Sequence, residues 1–219
     1  MRITEQISWR GDVLEFRLIL FGGSVSWFYI YLQAFAQLGM EGLGKRKARY
    51  QIDEVRVAGR QRILSDSQID MNAYRISTVG DYVESRLRQM KMEDGHWQMH
   101  FLTPLAMKFQ GEFLREFRAE ALVQGACRRL QMLDYYVDCE AEMPRVAEYP
   151  LVFSQKSEFC QVGRYSSTQD ARMTLRGIRG TVRYRTMPED CLRYLLAGEL
   201  LHIGKNTSFG FGKYRLEKG

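Results

Sequence analysis

His202-Ile-Gly-Lys-Asn-Thr-Ser-Phe-Gly-Phe-Gly-Lys-Tyr-Arg-Leu-Glu-Lys-Gly219 closes the chain. A helix predicted upstream runs out at Gly204. A glycine-punctuated loop follows, and a short basic strand ends the sequence. Glycine permits positive φ and close approach of the backbone to a ligand. Consecutive N–H groups in such a turn can cradle an anion, and Lys205 and Lys213 add positive charge. Gly204, Lys205, Gly210, Gly212 and Lys213 are therefore candidate contacts to a phosphate or a nucleic acid.

Working outward, Leu175-Arg-Gly-Ile-Arg-Gly-Thr-Val-Arg-Tyr184 reads as a strand. Thr186 and Glu189 have capping-box spacing, with Pro188 tolerated in the first turn. Leu192, Leu195, Leu196 and Ile203 share one helical face. Further upstream, Gln98 to Lys108 reads as a strand with Pro104 at an edge or bulge. Glu112 to Val137 reads as a long helix, and Val152 to Ser167 as one or two strands. From Trp97 the order is β-α-β-β-α-β, the ferredoxin-like pattern.

The start of the chain repeats half of that order. Residues 12–21 read as a strand. Trp27, Ile30, Tyr31, Ala34, Phe35 and Leu38 are spaced for an amphipathic helix, with Ser24 or Ser26 as its cap and Gly39 at its end. A glycine-basic loop, Gly42-Leu-Gly-Lys-Arg-Lys-Ala-Arg-Tyr50, leads into a strand through Gln51 to Val55. Gly42-Leu-Gly-Lys45 then corresponds to Gly210-Phe-Gly-Lys213, as an internal duplication predicts. Residues 58–95 are polar and suit a connector with a helical piece around Val83 to Met90.

Composition bounds the partners. The 219 residues carry a net charge of +6 and a pI of about 9.2, which leans toward polyanions. No run reaches the roughly 18–20 apolar residues of a membrane span, and the start lacks a signal-peptide pattern, so no membrane partner and a cytoplasmic location are expected. Cys127, Cys139, Cys160 and Cys191 are widely spaced, and with three histidines they make a poor zinc set. His96 and His100, four apart at a strand, lie too far apart to chelate readily. No metal and no cofactor are expected. No Ser-His-Asp arrangement, Walker loop or dinucleotide fingerprint is visible.

Several stretches in order resemble one family. They are Phe101-Leu-Thr-Pro-Leu-Ala-Met-Lys108, Arg128-Arg-Leu-Gln-Met-Leu133, Arg164-Tyr-Ser-Ser-Thr-Gln169, Gly177-Ile-Arg-Gly-Thr-Val182 and the tail from Leu200. Gly39-Met-Glu-Gly-Leu-Gly-Lys45 fits as a first glycine loop. Together they resemble the CRISPR precursor-RNA-processing endoribonucleases of the RAMP superfamily, the Cas-six family. The resemblance implies an α+β fold of tandem ferredoxin-like (RRM-like) domains, the first one incomplete. Residues 1–60 would be the second half of the first domain, 61–95 a connector, and 96–219 the complete second domain.

The resemblance also implies the chemistry. The ribose 2′-OH attacks the adjacent phosphate without a metal, leaving 2′,3′-cyclic phosphate and 5′-OH ends. Many members keep a catalytic histidine on a helix of the first domain, one that the resemblance leads us to expect is missing here. His202 and Lys205 are the catalytic candidates here. His202 equally reads as a structural histidine that fixes the loop. Gly204, Lys205, Gly210, Gly212, Lys213, Arg164, Arg176, Arg179, Arg183, Lys45 and Arg46 are the candidate RNA contacts, and the arginines also read as a solvated sheet face. The implied partners are CRISPR repeat RNA and other CRISPR-complex subunits. A chain completing the first domain and a homodimer stay open. The alternative to an enzyme is a non-catalytic RAMP subunit that holds CRISPR RNA.

Overall fold

The computed structural model describes residues 2–44, 46–57, 61–65, 68–69, 76–90, 95–137, 145–166 and 170–219. In chain order its elements are β1 (Arg2–Arg10), β2 (Val13–Leu20), α1 (Phe28–Glu41), β3 (Glu54–Val57), β4 (Gln61–Ser65), β5 (Gln68–Ile69) and α2 (Val79–Met90). There follow β6 (Trp97–Leu105), β7 (Lys108–Phe109), β8 (Glu112–Phe113), α3 (Ala119–Tyr136), β9 (Leu151–Ser166), β10 (Ala171–Thr186), α4 (Glu189–Leu201) and β11 (Tyr214–Lys218). Among the described residues no helix is long and apolar enough to cross a membrane.

Two compact units form. One holds Leu20–Thr78, and the other holds Arg2–Ile19 with Val79–Gly219. The β1–β2 hairpin thus groups with the second unit, away from the rest of residues 1–60. Part of the stretch read as a connector forms β4 and β5, which continue the antiparallel sheet β3-β4-β5 of the first unit.

The second unit carries a four-stranded antiparallel sheet in the order β11-β6-β10-β9. Counted along the β-α-β-β-α-β stretch, this is the fourth, first, third and second strand, the ferredoxin-like arrangement. Alternation explains the burial. Met99, Phe101 and Leu105 on β6, Ile178, Val182 and Tyr184 on β10, and Tyr214 and Leu216 on β11 are all buried. Successive side chains on a strand point to opposite faces, so these residues form one apolar face. It joins Ala121, Leu122, Ala126, Leu195 and Leu196 of α3 and α4 in a single core.

β11 is an edge strand, and edge strands expose unpaired backbone groups. Here side chains satisfy them. Glu199 of α4 accepts from Leu216 N–H at 2.8 Å, and Arg86 of α2 donates to the Leu216 carbonyl at 2.7 Å. Arg86 also meets Glu199 at 3.1 Å, and both side chains are under a tenth exposed. Tyr82 and Arg215 complete the cluster around Glu199. Burial beside Glu199 pushes the Tyr82 phenol well above its ordinary range.

Three local readings need correction. The long helix starts at Ala119, not at Glu112. Gly111, at φ +87°, turns the β7–β8 hairpin in between, and Phe117 is buried as a core residue stacked on Phe101 at 4.9 Å. The capping box before α4 does not form, since Pro188 is the N-cap and the Thr186 hydroxyl accepts from Leu151 N–H. Gly39 does not end α1. It lies within the helix, where a Cβ would meet the Tyr50 carbonyl oxygen at 2.3 Å, and Gly42 ends the helix at φ +90°.

Candidate nucleic-acid interface

The loop between α4 and β11, residues 202–213, is fastened to the end of β6. Ile178 pairs with Leu105 and Gly180 with Phe101, so β6 bulges over the residues between. Pro104 sits in that bulge, where a residue without an N–H is tolerated. The bulge turns three groups toward the loop. Thr103 Oγ1 accepts from Lys213 N–H at 2.9 Å, the Pro104 carbonyl from Gly212 N–H at 2.8 Å, and the Ala106 carbonyl from Lys205 N–H at 2.7 Å. The Thr-Pro-Leu stretch is therefore the anchor of the glycine loop.

The glycines serve this fastening. A Cβ on Gly212 would meet the Ile203 carbonyl oxygen at 1.8 Å, and one on Gly204 would meet the Ala106 oxygen at 2.6 Å. The N–H groups of Lys205, Phe209, Gly210, Phe211, Gly212 and Lys213 all donate within the chain. Those six N–H groups are therefore taken by the fold. Ile203 and Phe211 plug the core, while Lys205 and Phe209 project.

The sequence candidates separate accordingly. Lys205 is exposed, and its ammonium is in no ion pair among the described residues. Gly204 is exposed and Gly210 partly so. His202 is 0% exposed and Lys213 only 8%. Neither side chain therefore projects from the surface. Arg46 is exposed in the first unit's loop, whereas Lys45 lies outside the described residues.

Beside the loop, β9 and β10 form a ribbon of two sixteen-residue strands. β6 pairs with β10 only as far as Ile178, while β9 continues to pair with it to Ala171, so the ribbon extends past the sheet. The ribbon holds seven basic residues and one acidic residue, Glu158. Arg164, Arg172, Arg176, Arg179, Arg183 and Arg185 are in no ion pair among the described residues. The arginines Arg56, Arg62, Arg86, Arg193 and Arg215 all meet carboxylates. Register sorts the candidates. Arg164 is opposite Met173, so it shares a face with Arg179 and Arg183, whereas Arg176 belongs to the other face.

Ribbon and loop meet. The Arg164 guanidinium carbon lies 3.9 Å from the centre of the Phe209 ring. Sequence reasoning missed Phe209, because one aromatic among loop glycines carries no periodic signal. It also missed Arg172 and Lys156, which basic alternation along the ribbon could have flagged.

The first unit's loop matches the second's, in a register other than the one read from sequence. Each helix-to-strand loop is twelve residues long, 42–53 and 202–213. Gly42 ends α1 at φ 90°, ψ 145°, and His202 ends α4 at φ 57°, ψ 148°. Two residues on, Gly44 and Gly204 both have positive φ. The Tyr50 hydroxyl donates to the Phe35 carbonyl, and the Tyr214 hydroxyl to the Leu195 carbonyl, seven residues before each loop begins. Counted from the helix ends, Leu43-Gly44 stands where Ile203-Gly204 does, and the two tyrosines are four positions out of that register.

Among the described residues no group of three or more His, Cys, Asp and Glu side chains could hold a metal ion.

Comparison with known proteins bears on the family and the fold. A family model described as CRISPR-associated endoribonuclease Cas6 matches residues 99–214, and a second, described as an N-terminal domain, matches residues 3–76. Among solved structures, a Cas6 product complex is similar over 99% of this chain and 82% of its own, at 17% identity and a TM-score of 0.53. A Cas6 substrate mimic complex is similar over 99% and 84%, at 17% identity and a TM-score of 0.50. A partial Cas6-RT-Cas1–Cas2 complex is similar over 100% of this chain but 39% of its own, at 14% identity and a TM-score of 0.61. At these identities the likeness is one of fold, and that fold is the tandem ferredoxin-like one. No curated protein matches the chain.

Proposed function

From the premise that this chain belongs to the CRISPR-associated endoribonuclease Cas6 family, a family of CRISPR RNA processing, we propose that it binds CRISPR repeat RNA and cuts precursor CRISPR RNA. The single observation behind the RNA grip is the contact of Arg164 with Phe209. It joins the exposed tip of the glycine loop to a ribbon whose arginines have no carboxylate partners among the described residues. Arginine forks phosphates and stacks on bases, and an exposed aromatic offers a stacking face. The ribbon arginines with Lys205 then hold the backbone, and Phe209 meets an unstacked base.

The reaction is 2′-OH attack on the adjacent phosphorus with departure of the 5′-oxygen. No metal takes part. Lys205 stabilises the negative charge that develops on the phosphoryl oxygens. The RNA partner accords with the product and substrate mimic complexes, and a place among other CRISPR proteins with the Cas6-RT-Cas1–Cas2 complex.

Burial of His202 favours a second reading, a non-catalytic subunit that only holds the RNA. Incubating the protein with its repeat RNA in EDTA separates the two. A specific cut ending in 2′,3′-cyclic phosphate supports the nuclease, and salt-sensitive binding without a cut supports the subunit. Absence of binding at low salt rejects both.

A further inference from the structure

The face of the second unit's sheet opposite the core carries an ordered polar patch of which the reading above uses only Arg183. His100 lies on β6, one of the two central strands, and is exposed. It stands opposite Thr181 on β10, and its Nδ1 lies 2.8 Å from Thr181 Oγ1. Next along the same two strands, Arg183 donates from Nε to Gln98 Oε1 at 2.8 Å. Two cross-strand pairs therefore stand side by side. They leave His100 Nε2, the outer Arg183 nitrogens and the Gln98 amide nitrogen directed away from the core. Lys156 stands opposite Thr181 on β9, and Arg215 opposite His100 on β11. The acidic neighbours are Glu217, opposite Gln98 and 3.6 Å from Arg215, Glu199, which holds Arg215 at 2.8 Å, and Glu158, opposite Arg179 on β9.

Side chains held this way lose little freedom when a ligand arrives, which favours binding. Four-stranded sheets of this topology bind single-stranded RNA on the open face, through flat side chains of the two central strands that stack on bases. His100 is the one ring on the described open-face positions of β6 and β10. We propose that the open face centred on His100 is a second RNA contact, taking one nucleotide of a single strand. The imidazole stacks on the base or bonds its edge, and Arg183 and Lys156 hold the adjoining phosphates. This deepens the proposed function and rests on it.

The chain has only three histidines, so the imidazole signals are few. The protein is labelled with ¹³C-histidine, and the signals are assigned from the His96→Gln and His100→Gln variants. A fluorescent single-stranded RNA decamer is then titrated, with anisotropy reporting binding. The expected result is a saturable shift of the His100 signal, and a roughly tenfold weaker complex for His100→Ala, the size of one lost stacking contact. A stationary His100 signal at saturating RNA overturns the proposal while leaving the loop-and-ribbon grip intact. Because that signal is read on the wild-type protein, a poorly folding variant does not rescue the idea. No anisotropy change at low salt rejects the broader RNA-binding reading instead.

Discussion

Arg164 and Phe209 lie forty-five residues apart in sequence, yet the guanidinium of one rests 3.9 Å over the ring of the other. The contact ties the β9–β10 ribbon to the tip of the glycine loop. Cation–π pairs at exposed sites contribute about 0.5–1 kcal/mol, so its energetic weight is modest. Its value is in alignment of a stacking face with a row of arginines that form no ion pair among the described residues. Phe209→Ala should therefore leave the melting temperature nearly unchanged and weaken repeat-RNA binding roughly tenfold. Equal affinity for wild type and variant in an anisotropy titration would count against Phe209 as an RNA contact.

Gly212 and Gly210 make a matched pair of tests for the loop's architecture. Both have positive φ, but a Cβ on Gly210 meets nothing within 4 Å. Gly210→Ala should cost only the left-handed backbone penalty, about 1–2 kcal/mol. Gly212→Ala adds a collision with the Ile203 carbonyl and should cost about 3 kcal/mol or more. Urea denaturation of the two variants gives the comparison, and equal costs would mean that the loop is not pressed against Ile203.

Arg86 and Glu199 substitute for a missing strand at the β11 edge. Removing one member of a buried pair costs about 3–5 kcal/mol when the other charge is left uncompensated; here Arg215, 2.8 Å from Glu199, keeps the loss toward the lower end. Arg86→Ala should show a loss of that order by urea denaturation. Hydrogen exchange should also accelerate at the Leu216 amide, which would lose the Glu199 carboxylate's support. A loss under 1 kcal/mol would show that the edge is held by other means.

The core sets a direction for the response to alkali. Burial pushes the Cys127 thiol up to about 11 and the Tyr184 and Tyr214 phenols further above their ordinary values. In the unfolded chain these groups lose protons at lower pH than in the folded one. The stability they confer is fully present below the ordinary thiol value of about 8.5 and falls as pH rises toward 11. The melting temperature should be flat from pH 7 to 8 and drop steadily above pH 9. A flat profile to pH 10.5 would contradict the burial of these groups.

The β-α-β-β-α-β order was legible because apolar periodicity switches cleanly between strands and helices after Trp97. Pro104 was rightly placed at an edge or bulge, since a proline inside a central strand leaves few other options. Local signals failed where tertiary packing overrode them. Phe113, Leu114 and Phe117 have helix-compatible spacing, but Gly111 turns the chain and Phe117 is drawn to Phe101. Gly39 looked like a helix stop, and its actual task, making room for Tyr50, depends on a contact eleven residues away. The loop residues Lys205 and Lys213 look alike in sequence. Only the anchoring to β6 shows that one projects and the other is buried.

The account's central claim is that glycine loop and ribbon form one RNA grip. The direct measurement is the salt dependence of repeat-RNA affinity for the wild type and for Arg164→Gln, Arg179→Gln, Arg183→Gln and Lys205→Ala. Each contact to a phosphate contributes about 0.7 to the slope of log affinity against log salt for a single strand. The account predicts weaker binding and a shallower slope, by about that amount, for each variant. Wild-type affinity and slope in all four would contradict it.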